Sequence, residues 1–249
     1  MRNRLSKTPP ENIARLVRRR IEASGERVWR LRDFDGMSFT AVAQALSRLS
    51  REGVIQRLGK GLYYRPRQTT LGLSKPNPSQ LSALPIGRHR VFPAGIAAAN
   101  LLGFTTQNAG LLEVATDGLS LPRLIIGKDT VVHTRRPESW RELSEVDAAI
   151  LDFLRNRGET SELPADETVS RLLGYFRETG RFDRILNIAT SEPPRVRALI
   201  GAIGQQLGQS DEKLTCLRES LNKLSRFEFG CLSGLKHARE WQAKERKNA

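Results

Sequence analysis

The sequence predicts an α+β protein: an N-terminal winged helix-turn-helix, a small mixed α/β segment, and a mainly helical C-terminal domain. Three observations predict it. Residues 12–67 read helix, short strand, short helix, helix, hairpin, the element order of a winged helix-turn-helix. Residues 68–86, "QTTLGLSKPNPSQLSALPI", break that pattern with Pro76, Pro78 and Pro85 among Ser, Thr and Asn. From Trp140 onward apolar positions recur at helical spacing. The expected division is a DNA-binding unit over 1–72, a linker over 73–85, and an α+β domain over 86–249 with strands near 111–136 and helices over 140–249.

Thr8-Pro9-Pro10-Glu11 opens the first helix as a capping box with Pro at its start. Ile13, Leu16, Val17 and Ile21 then recur at helical spacing, and Gly25 ends the run. "RVWRL" (27–31) reads as one strand and "RDFDG" (32–36) as a single helical turn closed by Gly36. Ser38 caps the helix "FTAVAQALSRLSREG", whose Val42, Ala45, Leu46 and Leu49 form an apolar stripe ended by Gly53. "GVIQRLGKGLYYRPR" follows as a hairpin with a Gly59-Lys60 loop, in which Gly59 and Gly61 permit positive φ. That loop places Ile55, Arg57, Leu62 and Tyr64 on one face and Val54, Gln56, Leu58, Tyr63 and Arg65 on the other. Neither face is purely apolar, which suits a wing anchored at its base.

In the remainder, "PAGIAAANLLGF" (93–104) reads as a small buried helix, and 111–118, 121–127 and 129–136 as strands. Helices are expected at "SEVDAAILDFLRNRG" behind a Ser cap, "DETVSRLLGYFRETG", "RFDRILNIA", "PPRVRALIGAIGQQLG" and "DEKLTCLRESLNKL" behind Ser210, with "LSGLKHAREWQAKERKNA" running into a basic, frayed tail. Gly201, Gly204 and Gly208 lack nucleotide-loop spacing and read as close helix packing.

Composition narrows the function. The formal net charge is +14. Residues 1–75 hold 17 Lys and Arg against 6 Asp and Glu, a net +11 that leaves only +3 for the other 174 residues. A basic third on a near-neutral remainder points to a polyanion-binding module. Cys216 and Cys231 make no disulfide framework, so reduced thiols in a cytoplasm are expected. The longest largely apolar stretch, 91–104, is too short for a bilayer and contains Pro and Gly. His89, His133 and His237 are scattered and lack zinc-module spacing with the cysteines. No P-loop or G-x-S-x-G occurs, so neither an enzyme nor a cofactor is expected.

The candidate site is the polar front of the helix at 39–51 and the hairpin after it. Ser38, Thr40, Gln44, Ser47 and Arg48 are the expected base-contacting set. Gln can bond adenine bidentately and Arg can bond guanine O6/N7. Arg51, Arg57, Lys60, Arg65 and Arg67 are the expected phosphate-contacting set.

The segment "LRDFDGMSFTAVAQALSRLSREGVIQRLGKGLYYRP" resembles the winged-helix domain of AbiEi-type antitoxins, from type IV toxin–antitoxin and abortive-infection systems. "FPAGIAAANLLGFTTQ" is similar to the middle of that family. "PPRVRALIGAIGQQLG" with "LRESLNKLSRFEFG" resembles a related group of uncharacterised bacterial winged-helix proteins. The resemblance implies an autoregulating repressor that binds inverted repeats of double-stranded DNA in its own promoter. It also implies a nucleotidyltransferase-like toxin countered without a stable complex. Two other expectations stand beside it: an RNA-binding protein that protects the toxin's RNA target, and a winged-helix regulator unrelated to toxin–antitoxin systems.

Overall fold

The computed structural model describes residues 12–70, 72–74, 90–107, 111–121, 126 and 130–245. It is mixed α+β, with eight helices and small sheets among the described residues. The chain divides into two compact units, Met1–Leu81 with Pro122–Lys128, and Ser82–Leu121 with Asp129–Ala249.

In the first unit, α1 (Ile13–Ala23) starts at Asn12, whose side chain accepts from Ala14 N–H at 3.0 Å. The capping box expected at Thr8–Glu11 lies outside the described residues. Val17 and Ile21 are buried, and Ile13 packs against the same core from a half-buried position. β1 (Arg27–Arg30) leads into a 3-10 turn over Leu31–Phe34, where Arg30 N–H donates to Asp33 Oδ2 at 2.7 Å. Gly36, at φ +83°, reverses the chain into α2 (Phe39–Arg51). The stripe Val42, Ala45, Leu46 and Leu49 is buried against α1 together with Trp29 and Phe34, which stack at 5.1 Å. Burial of each large apolar side chain contributes about 1.5–3 kcal/mol, so this row fixes which face of α2 turns outward.

β2 (Gln56–Gly59) and β3 (Leu62–Arg65) form the hairpin, and the sheet order is β1-β3-β2, all antiparallel. Its register differs from the expected one. Gln56 pairs with Tyr64, Arg57 with Tyr63 and Gly59 with Leu62, so Leu58 is a bulge and the turn residues are Lys60 and Gly61. Gly61, not Gly59, takes positive φ, at +69°, and its carbonyl accepts from Leu31 N–H at 3.3 Å. A Cβ there would sit 3.0 Å from Leu31 Cδ1. The bulge buries Leu58 and leaves Gln56 and Arg57 exposed side by side.

At the start of the segment expected as a linker or an extended crossing, β4 (Gln68–Thr69) and β5 (Gly72–Leu73) pair as a two-strand antiparallel ladder. Ser74 locks it: its N–H donates to Arg67 O at 2.8 Å, and its Oγ accepts from Arg67 N–H at 2.7 Å. The rest of the expected linker lies outside the described residues.

In the second unit, β6 (Val91–Pro93), β7 (Glu113–Thr116) and β8 (Val131–His133) form a sheet, β6 antiparallel and β8 parallel to β7. β6 takes Pro93, the first residue of the helix expected over 93–104. That helix, α3, spans Gly95–Leu101. The strand expected at 121–127 falls largely outside the described residues, and Ile126 is helical. Then come α4 (Glu145–Arg155), α5 (Ala165–Arg177), α6 (Arg181–Ala189), α7 (Pro194–Gln206) and α8 (Asp211–Glu219). Ser144 and Ser210 cap α4 and α8 as expected.

After α8 no α-helix forms among the described residues, where the helical spacing predicts one. Leu232, Leu235, Ala238 and Trp241 are spaced by three, and each N–H after the first bonds the carbonyl three residues back, at 3.1–3.2 Å. The segment is a run of tight turns rather than an α-helix. It is firmly packed. Trp241 is buried and its Nε1–H donates to Gln205 Oε1 at 2.7 Å.

Candidate nucleic-acid interface

Because the apolar stripe of α2 faces inward, helical geometry turns Thr40, Gln44, Ser47, Arg48 and Arg51 outward, and all five are exposed. Ser38 is exposed at the N-cap and its hydroxyl makes no capping hydrogen bond. Arg57, Lys60 and Arg67 are exposed on and after the hairpin, with Lys60 at the turn. Arg57 Nε–H donates to Gly59 O at 3.3 Å, which holds its side chain along the bulged strand.

Arg65 is half-buried. Its Nη1 donates to the carbonyls of Ile21, Glu22 (2.6 Å) and Ser24. The last turn of a helix leaves carbonyls without intrahelical partners, and a guanidinium there satisfies them and suits the helix dipole. Arg65 therefore ties the hairpin to the end of α1.

Tyr64, buried on the central strand, donates from its phenol to Glu26 and lies 3.0 Å from Ser74 Oγ. Burial, and then the hydrogen bond to Glu26, hold its phenol well above the ordinary tyrosine range. It stays a neutral donor that braces the strand against the 67–74 turn.

Two exposed residues were not singled out from sequence. Glu52 Oε1 accepts from Arg48 Nε–H at 3.0 Å, and Oε2 meets the Arg18 guanidinium. Arg48 first, and Arg18 after it, hold this carboxylate below the usual range. The i,i+4 spacing of Arg48 and Glu52 was the available signal. Arg18 comes from α1, so nothing local announced it. The other is Phe39, on the first turn of α2, which is 69% exposed.

Elsewhere, His133 Nε2 lies 2.9 Å from Glu113 Oε2, and His237 Nδ1 lies 2.9 Å from Glu240 Oε1. His89 lies outside the described residues. Both cysteines are free, and among the described residues no group of three His, Cys, Asp or Glu could hold a metal ion. No helix among them is long and apolar enough to cross a membrane.

No curated protein matches the sequence. Among solved structures, the chain is similar to the crystal structure of the RV2827C protein from Mycobacterium tuberculosis, at 14% identity and a TM-score of 0.49, over 89% of this chain and 86% of that one. Residues 29–166, more than half of the chain and including α2 and the hairpin, match the "Family of unknown function (DUF6088)", and the chain belongs to that family.

Proposed function

We propose that the first unit is a winged helix-turn-helix that binds double-stranded DNA by sequence, and that the protein is a transcriptional repressor. The carrying observation is the outward row Thr40, Gln44, Ser47, Arg48 and Arg51 on α2, followed at once by a hairpin with Lys60 at its turn. An α-helix fits the major groove, where Gln and Arg can read base edges, while lysine and arginine beside it grip phosphates. In this reading Ser38, Thr40, Gln44, Ser47 and Arg48 meet bases. Arg51, Arg57, Lys60 and Arg67 meet the backbone. The net +11 of residues 1–75 supplies the long-range attraction.

The resemblance to AbiEi-type antitoxins supports a finer reading, in which the repressor binds inverted repeats in its own promoter and its operon encodes a nucleotidyltransferase-like toxin. The test is fluorescence anisotropy with three probes across a range of KCl: the duplex upstream of the gene, a scrambled duplex of equal length, and tRNA. Preference for the upstream duplex that survives rising salt supports the repressor. Equal affinity for both duplexes removes sequence recognition, and preference for tRNA moves the function to RNA.

A further inference from the structure

We infer that Phe39 is a specificity-determining residue that recognises the 5-methyl group of a thymine in the major groove. The inference rests on the DNA-binding reading of α2 and names what that helix selects.

Three observations carry it. Phe39 is the first residue of α2, and its side chain is 69% exposed. Its spacing from Val42, Ala45, Leu46 and Leu49 would extend the buried stripe by one turn, yet those four are at most 5% exposed while Phe39 stands in solvent. It also stands next to the polar row. Ala43 lies one turn further along and Ser47 two turns along, beside Thr40 and Gln44, so the row's edge at this end of the helix is apolar. A recognition helix commonly contacts bases with its N-terminal residues.

An exposed aromatic ring amid a basic, polar surface has one apolar feature to meet in the major groove. Only thymine places a methyl group there, and the other base edges present hydrogen-bonding groups that a phenyl ring cannot satisfy. Phe39 would exclude water from that methyl while Gln44 and Arg48 hydrogen-bond to neighbouring bases. The contact forms and breaks no bond. Its discrimination comes from burying one methyl group and from the cost of leaving a base-edge donor or acceptor unpaired against the ring.

The experiment uses the full chain and a preferred site selected in vitro from a random duplex pool. Each thymine of that site is replaced singly by deoxyuridine, which removes the methyl and nothing else. For the unsubstituted protein, one position per recognised half-site should lose about fourfold in affinity, the worth of one buried methyl. Phe39→Ala should bind the thymine and deoxyuridine versions of that position equally while keeping its preference at the others. Because Phe39 is exposed, thermal unfolding should be unchanged, and Phe39→Leu should retain part of the discrimination. Two results overturn the inference and leave DNA recognition standing: no deoxyuridine effect at any position, or the same effect in Phe39→Ala. Failure to enrich any site overturns both this inference and the reading beneath it.

Discussion

Arg48 Nε–H donates to Glu52 Oε1 at 3.0 Å, while the other oxygen of the same carboxylate meets Arg18. One acid on the loop end of α2 thus restrains an arginine from each of two helices. Arg48 belongs to the row proposed to meet DNA, so the acid restrains charge that would otherwise serve any duplex. Glu52→Gln should therefore tighten binding to a random duplex about threefold to tenfold and steepen the salt dependence by about one unit of log–log slope. Preference for the selected site should fall. The carboxylate is held below its usual range, so it remains ionised at neutral pH and the pair is lost only as pH falls through that lowered value. Between weakly acidic and weakly basic pH the mutant's advantage should be constant. Anisotropy titrations on random and selected duplexes check both points.

Lys60 and Arg65 sit on one hairpin in different surroundings. Lys60 is exposed at the turn, whereas Arg65 caps the carbonyls at the end of α1. Lys60→Ala should weaken binding to all duplexes alike and flatten the salt dependence by about one unit, with the melting temperature unchanged. Arg65→Ala should lower the stability of the first unit by about 1.5–3 kcal/mol, the scale of hydrogen bonds to a charged group. Its salt slope should match that of the unsubstituted protein under conditions where it is folded. Denaturant melts paired with salt titrations separate the two.

The contrast shows where sequence reasoning reaches. The buried row of α2 was legible because a 3.6-residue period converts directly into a face. The hairpin was legible as a hairpin, but its register was not. A bulge at Leu58 shifts the pairing by one residue, and a period of two cannot anticipate an inserted residue. Arg65 looked like its basic neighbours because its partners lie at the end of α1, far away in the chain. The spacing of Leu232, Leu235, Ala238 and Trp241 resembled a helix, yet a period of three also fits the tight turns that form there.

Gln44 tests base reading most directly. It is exposed at the middle of α2, where neither a cap nor a core contact depends on it. Gln44→Ala should leave folding and salt slope unchanged and relax specificity at one position of the selected site. Loss of one good bidentate contact corresponds to about 1–3 kcal/mol of discrimination. Affinities for the selected site and its single-base variants give the answer. An equal loss on selected and random duplexes would remove Gln44 from the base-reading set.

Two glycines in the second unit make opposite predictions. A Cβ on Gly201 of α7 would lie 2.2–2.4 Å from the Trp241 ring, which is itself enclosed and hydrogen-bonded to Gln205. Neither the helix nor the indole can yield easily, so Gly201→Ala should destabilise the second unit by about 1–3 kcal/mol, the usual cost of overpacking. Gly174, inside α5, is exposed and has nothing within 4 Å of where a Cβ would stand. There the same substitution removes only the freedom of the unfolded chain and the poor helix propensity of glycine. Gly174→Ala should stabilise by about 0.4–1 kcal/mol. Thermal or denaturant unfolding of the two variants measures both signs. A neutral Gly201→Ala would mean that the turns carrying Trp241 can shift away from α7, and that the tail is less firmly docked than its buried indole indicates.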